Sequence, residues 1–256
     1  MQRLDGTSFS SPQAFAEASD GQERLITTLH PKDNMLPAGQ EGLYYWMGRT
    51  ALDCIKAVAP DRDFDRILDL PSGYGRVMRH LRAEYPNAAI VACDIDTDAI
   101  AFCAETFGAR PVPSFADISR TDIDGTFDLI WVGSLFTHLD AASADALFKL
   151  LHDKTAAGGL LAFSIAGRFV YERAVEGELG GLQPATFAEM RVQFEKDGFT
   201  FGSYRPGIVD EANYGRAFIA EEWLEAKRRE LGGFDPLAYI DRGYARRQDV
   251  VIWEKA

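Results

Sequence analysis

The run from Arg66 to Arg76, Arg-Ile-Leu-Asp-Leu-Pro-Ser-Gly-Tyr-Gly-Arg, restricts what this chain can fold into more than any other stretch. Ile67 to Leu70 is an apolar run of strand length, Pro71 to Gly75 is turn chemistry, and Val77, Met78 and Leu81 recur at helical spacing. The order is strand, tight turn, helix. Gly73 and Gly75 carry no Cβ, so the backbone there can take positive φ and let a ligand lie against it, while the following helix turns free N–H groups toward the loop. A second apolar strand, 88–93, leads into Asp94, which lies ~20 residues past the glycines, the offset at which a carboxylate reaches ribose hydroxyls.

Two classes of ribose-containing ligand compete for this corner. A dinucleotide asks for G-x-G-x-x-G, whose third glycine lets the helix pack on the strand, and Met78 stands in that place. An acid at Asp69 followed by Gly73 and Gly75 instead resembles the acidic, glycine-rich first motif of class I S-adenosylmethionine-dependent methyltransferases. Pro71 stands where that family usually has its first glycine; it lacks an N–H but fixes φ and biases Leu70 toward extended geometry. Phe127 to Val132 resembles the family's fourth strand, and Ala157 to Phe163 its helix end, turn and fifth strand. The wording of residues 69–76, 131–139 and 247–251 resembles bacterial type 12 methyltransferases, some of which are found with glycan-synthesis proteins.

The resemblance implies an α/β fold: a doubly wound, mostly parallel seven-stranded sheet. It implies S-adenosylmethionine as cofactor and methyl transfer by in-line displacement to an oxygen or nitrogen of a small molecule or glycan, releasing S-adenosylhomocysteine. A catalytically silent S-adenosylmethionine-binding or scaffold protein of the same fold is the first alternative. An NAD-dependent oxidoreductase is the second, disfavoured by Met78.

Candidate site residues follow. By resemblance, Asp69 holds the loop or meets the ligand's amino group, beside Pro71, Gly73 and Gly75, with a turn-capping carboxylate as the competing role. Asp94 offers two acceptor oxygens to vicinal hydroxyls, with Ile95 next to it; helix capping falls better to Asp96 or Thr97. Asp117 is expected beside the adenine amino group, with Phe115 or Ile118 on the ring. Ser134 and Leu135 follow the fourth strand, where the family's backbone approaches the methionine part, and Gly133 would permit that approach. His138 is the candidate general base, competing with a histidine that only caps backbone. Tyr44, Tyr45 and Arg49 are expected as a lid, and Arg168 near the acceptor. Tyr171, Asp210, Glu211, Tyr214 and Gln248 carry no assigned role, and no acid or histidine cluster has a metal spacing.

Charge narrows the partners. Lys and Arg number 27 against 39 Asp and Glu, a formal net charge of −12, which repels phosphate backbones and argues against nucleic acid. Trp131 to Ser134 also differs from the Asn/Asp-Pro-Pro-aromatic motif of nucleic-acid amino-methyltransferases. No stretch has the length needed to cross a bilayer and the amino terminus lacks signal-peptide character, so a cytoplasmic protein is expected, with Cys54, Cys93 and Cys103 as buried free thiols.

Residues 1–60 read as an N-terminal helical appendage or lid. It contains short helical pieces within 14–29 and an amphipathic helix over 41–58, on which Leu43, Met47, Ala51, Cys54 and Val58 share one face and Tyr45 and Arg49 the other. Residues 61–256 read as the methyltransferase domain. Its expected strands lie near 66–70, 89–93, 110–112, 127–132 and 159–165, its expected helices near 74–84, 96–107 and 143–156. An insertion over 167–219 interrupts the rhythm before a helix near 221–231 and closing strands near 237–242 and 248–253.

Overall fold

The computed structural model describes residues 1–17, 24–36, 39–204 and 214–256. In chain order the strands are β1 (Gln2–Asp5), β2 (Arg66–Asp69), β3 (Ala89–Asp94), β4 (Arg110–Pro113), β5 (Phe127–Val132), β6 (Thr155–Ile165), β7 (Phe199–Ser203), β8 (Gly215–Ile219), β9 (Phe234–Tyr244) and β10 (Gln248–Lys255). The helices are α1 (Pro12–Glu17), α2 (Glu41–Val58), α3 (Met78–Glu84), α4 (Thr97–Phe107), α5 (Ala141–Lys154), α6 (Arg168–Val175), α7 (Pro184–Asp197) and α8 (Glu221–Leu231).

The main sheet runs β1-β9-β10-β6-β5-β2-β3-β4, and β10 alone lies antiparallel to its neighbours. From β2 the chain winds outward to β3 and β4, then returns to β5 on the other flank of β2, which opens a crevice beyond the carboxyl ends of β2 and β5. Successive residues on the strands serve opposite faces: Ile67, Leu129 and Leu160 pack under α2 and α3, while Leu68, Ile130 and Leu161 pack under α5 and α8.

The sheet has eight strands where seven were expected. The addition is β1, from the segment read as a helical appendage with no strand. Its register places Leu4 beside Ile240, and Arg3 clasps Asp241 through Nε and Nη2 at 2.7 and 2.6 Å while Nη1 reaches Glu221 at 2.6 Å. Four largely exposed residues carry no periodicity to read, so the pairing depends on the partner strand.

α2 differs too. It buries Tyr44, Trp46, Thr50, Leu52 and Ile55 as well as Ala51 and Cys54, because the N-terminal segment covers the side that the spacing assigned to solvent. Gly48 sets its crossing with α3: a Cβ there would stand 2.0 Å from the Arg76 carbonyl and 2.8 Å from His80 Cδ2. The insertion over 167–219 is structured where described, with α6, α7 and the β7–β8 hairpin around its own core of Tyr171, Phe187, Met190, Phe194 and Phe218.

His80 is 3% exposed, and burial, assisted by the Arg49 charge, pushes its imidazole down to about 3. An unfolded chain takes that proton near pH 6.5 and the native state refuses it, so this contribution to stability is complete above pH 6.5 and falls as the pH drops toward 3. Urea unfolding at pH 7 and pH 5 should show wild type losing ~2 kcal/mol more than His80→Gln. Equal losses would place a charged imidazole in the native core.

Candidate active site

The glycine loop is tied to the end of β3. Leu70 N donates to the Trp131 carbonyl at 3.0 Å, extending the β2–β5 ladder by one residue, and the chain then turns through a cis Leu70–Pro71 bond. Ser72 N donates to the Cys93 carbonyl at 3.0 Å, and Gly73 N to Asp94 Oδ2 at 2.7 Å. Asp94 Oδ1 accepts from Asp96 N at 2.9 Å, and Asp96 in turn caps α4 by accepting from the Asp98 and Ala99 amides. Each Asp94 oxygen keeps capacity for another donor. Burial pushes this carboxyl above the usual carboxylate range, opposed by the amides of Asp96 and Gly73.

Gly73 has φ 48° and Gly75 φ 79°, but their surroundings differ. A Cβ at Gly75 would meet Phe107 Cε2 at 2.3 Å, whereas one at Gly73 would meet nothing within 4 Å. The outer side of Gly73 is therefore open to a ligand. Beneath the loop, Asp69 is 1% exposed and its Oδ2 has no hydrogen-bond partner among the described residues. Burial and then the Asp94 charge push the Asp69 carboxyl well up, with Arg76 opposing them.

A cleft of ≈ 590 Å³ opens from this loop. Leu70, Pro71, Asp94 and Ile95 form one wall, residues 114–118 a second, and Leu135, Leu139 and the first turns of α5 a third, with Tyr214 at the edge. Ile95 and Phe115 are 55% and 38% exposed, apolar side chains left where a planar group could lie on them. Asp117 Oδ1 accepts from Ser119 Oγ at 2.6 Å and Ser119 N at 3.2 Å, which keeps that carboxyl below its ordinary range.

Of the expected residues, Pro71, Asp94, Ile95, Asp117 and Leu135 line the cleft, and Asp69, Gly73 and Gly75 belong to the loop that bounds it. Ser134 adjoins Leu135 and has φ 60°, so the left-handed residue after β5 is Ser134 and not Gly133.

His138 ends a 3₁₀ turn, Phe136–His138, and does not line the cleft. Its Nδ1 lies 2.8 Å from the Gly215 carbonyl and 2.8 Å from Tyr204 Oη, and its ring stacks on Tyr214 at 4.6 Å. A carbonyl can only accept, so Nδ1 carries the proton and Nε2 the lone pair. Burial pushes the imidazole down to about 4, leaving it neutral at pH 7.

The expected lid residues and Arg168 turn elsewhere. Tyr44 is fully buried with its hydroxyl on Asp33 at 2.6 Å, Tyr45 donates to the Thr27 carbonyl at 2.9 Å, and Arg49 pairs with Asp53 along the helix at 2.6 Å. These three organise the N-terminal layer, and none lines the cleft. Arg168 faces α7, with Nη1 3.5 Å from Glu195 and its guanidinium over the Phe194 ring. Arg168 thus lies over the outer side of the insertion's own core, paired with the following helix.

The α5 contribution escaped the sequence reading: Ala142, Ser143 and Ala146 share a helical face whose small side chains leave room for the cleft, a spacing that could have revealed it. Among residues left without a role, Tyr214 lines the cleft and Gln248 joins Ser134 at the sheet rim; Asp210 and Glu211 lie outside the described residues.

Residues 68–161 match a family model described as a methyltransferase domain. None of the curated proteins matches the chain. Among solved structures, an S-adenosylmethionine-dependent methyltransferase from Clostridium acetobutylicum is 18% identical with a TM-score of 0.56, covering 83% of this chain and 92% of that one. Magnesium protoporphyrin IX methyltransferase from Synechocystis, solved with bound S-adenosylhomocysteine, is 13% identical with a TM-score of 0.54, covering 86% and 90%. A 1,6-didemethyltoxoflavin-N1-methyltransferase from Burkholderia thailandensis is 15% identical with a TM-score of 0.54, covering 82% and 78%.

The sheet order is that of the class I methyltransferase fold, and the matched segment, residues 68–161, spans β3 to β5, the end of β2 and most of β6. Over that segment the chain is similar to a methyltransferase domain, and its fold is that of solved S-adenosylmethionine-dependent methyltransferases. Its residues fit the cofactor: a buried, unpartnered Asp69 oxygen, an open face at Gly73, an acid with spare acceptor capacity at Asp94 and exposed apolar side chains beyond it.

The two loop glycines should separate on substitution. Gly75→Ala, combining positive φ with the Phe107 contact, should cost about 2–4 kcal/mol in urea unfolding, and Gly73→Ala, facing open space, only about 1 kcal/mol. Equal costs would contradict the packing described.

Proposed function

We propose that the chain methylates an oxygen or nitrogen of a small molecule or glycan. The observation that carries the reading is the run of chemistry along one rim: Asp94 at the centre, Ile95, Phe115 and Asp117 on one side, Asp69 and Ser134 on the other. In this reading Asp94 accepts the ribose hydroxyls. Ile95 packs on the adenine with Phe115 or Ile118, and Asp117 accepts from the exocyclic amino group. Asp69, under the glycine loop, faces the amino-acid end. The sulfonium supplies an electrophilic methyl group, so the protein's remaining task is to place a nucleophile in line with it, for which orientation alone offers about 7–11 kcal/mol.

His138 does not itself line the cleft but stacks on Tyr214, which does, and it is assigned as the proton acceptor for a nucleophile that reaches past Tyr214. The Gly215 carbonyl holds Nδ1–H and thereby fixes the tautomer that leaves Nε2 able to take a proton, and the depressed basicity keeps it unprotonated at working pH. Residues 1–60 act as a cover. Arg79, fully buried, links the Gly75 carbonyl at 3.2 Å to the Ile26 and Thr28 carbonyls at 2.6 and 3.2 Å, fastening residues 24–36 to the cofactor loop. The insertion over 167–219 brings Tyr214 to the cleft and Tyr204 against His138 and so selects the acceptor. Solved neighbours are named as methyltransferases of 1,6-didemethyltoxoflavin and of a glycopeptide, which supports a small-molecule or glycan acceptor. The net charge of −12 supports excluding nucleic acid. No described helix is long and apolar enough to cross a membrane, in keeping with a cytoplasmic enzyme.

Calorimetric titration with S-adenosylmethionine, S-adenosylhomocysteine and NAD tests the site. Both sulfur ligands should bind and NAD should not. Asp94→Ala, which loses the ribose acceptor and the tie to Gly73 together, should weaken binding at least about tenfold. Preference for NAD would overturn the assignment.

A further inference from the structure

The ends of β5, β6 and β10 meet in a polar knot that neither methyl transfer nor strand pairing requires. Ser134 holds φ 60° without being glycine, a conformation that costs about 1–2 kcal/mol for an L residue. Its amide donates to Ser164 Oγ at 2.8 Å, its carbonyl accepts from Thr137 Oγ1 at 2.7 Å, and its hydroxyl lies 2.9 Å from Gln248 Nε2. Ser164, fully buried on β6, donates to Gln248 Oε1 at 2.7 Å. With Ser164 Oγ donating to Gln248 Oε1, Nε2 donates to Ser134 Oγ, whose hydroxyl also lies 3.1 Å from Oε1.

The neighbouring Asp249 secures Gln248 from the other side. Its Oδ2 accepts from the Tyr239 hydroxyl at 2.7 Å and its Oδ1 from Arg242 N at 2.7 Å. That Oδ2 occupies the space in front of Gly167, where a Cβ would stand 2.0 Å away. Gln248 is thus held at the rim and reaches across β6 to the end of β5.

The location gives the knot its meaning. Asp94, Ile95 and residues 114–118 lie at the ends of β3 and β4, whereas Ser134 lies past β5, across the crevice and on the same side as Asp69. The cleft runs from Asp94 and residues 114–118 to Leu135, the residue after Ser134, so a ligand longer than a nucleoside seated on Asp94 has room to extend toward that turn. We propose that Gln248 and Ser164 are positioning residues that hold the Ser134 main chain in its left-handed turn, and that this turn closes the site around the amino-acid end of the cofactor. The proposal rests on the methyltransferase reading and adds to it two residues that act through Ser134.

The test compares S-adenosylhomocysteine with 5′-methylthioadenosine, which keeps the nucleoside and thioether but lacks the amino-acid end. Both are titrated into wild type, Gln248→Met, Ser164→Ala, Ser134→Gly and the Gln248→Met/Ser134→Gly double variant, with thermal unfolding alongside. Gln248→Met and Ser164→Ala should each weaken S-adenosylhomocysteine about tenfold and leave methylthioadenosine within about twofold. Glycine takes positive φ without help, so in the Ser134→Gly background the Gln248→Met penalty should shrink to less than about threefold. Ser164→Ala removes one oxygen and serves if Gln248→Met does not fold. Equal weakening of both ligands, no weakening, or an undiminished penalty in the Ser134→Gly background would overturn the proposal while leaving the methyltransferase reading intact. Failure of wild type to bind either ligand would overturn that reading and the proposal with it.

Discussion

The Asp94 carboxylate joins the parts on which the site depends. One oxygen holds the Gly73 amide and the other the Asp96 amide, so a single side chain fixes the glycine loop, the end of β3 and the start of α4 relative to one another. Hydrogen bonds to a charged acceptor contribute about 1.5–3 kcal/mol each, enough to hold a loop whose glycines would otherwise sample many conformations. Burial opposes the charge, and the two amides offset it. An acid that both builds the loop and keeps acceptor capacity couples ligand binding to the geometry of the corner.

The layers around the corner use buried polar groups in a similar way. Arg79 lies among the Tyr44, Tyr45 and Phe107 rings, each centroid 5.3 Å from its guanidinium, and fastens the N-terminal segment to Gly75. The His30 ring stacks on Tyr74 of the loop at 4.6 Å, and Lys32 pairs with Asp98 at the start of α4 at 2.6 Å. The N-terminal segment and the glycine loop therefore form one packed unit. On the opposite flank the insertion is anchored by its own aromatic core, and the β7–β8 hairpin places Tyr204 and Tyr214 against His138.

The parts legible in the sequence were those governed by local chemistry. The glycine loop, the positive φ at Gly73 and Gly75, the parallel strands and the cap at Asp96 follow from turn residues, apolar runs and spacing. Side chains whose direction depends on what packs over them were not legible. Tyr44, Tyr45 and Arg49 suggested a lid surface, but the N-terminal segment covers them; Arg168 suggested an acceptor contact, but α7 draws it away. β1 exists through its register with β9, and the Ser134–Ser164–Gln248 contacts join residues up to 114 positions apart, beyond any periodicity. The small-residue face of α5 was readable in principle, yet alanine carries no chemistry to draw attention.

In the proposed reading one rim, organised by Asp94, holds the whole cofactor. A crystal structure of the protein with S-adenosylhomocysteine tests it most directly. The ribose should lie on Asp94, the adenine against Ile95 with Asp117 at its amino group, and the amino-acid end between Asp69 and Ser134. An adenine seated away from Ile95, or a ribose that does not touch Asp94, would contradict it.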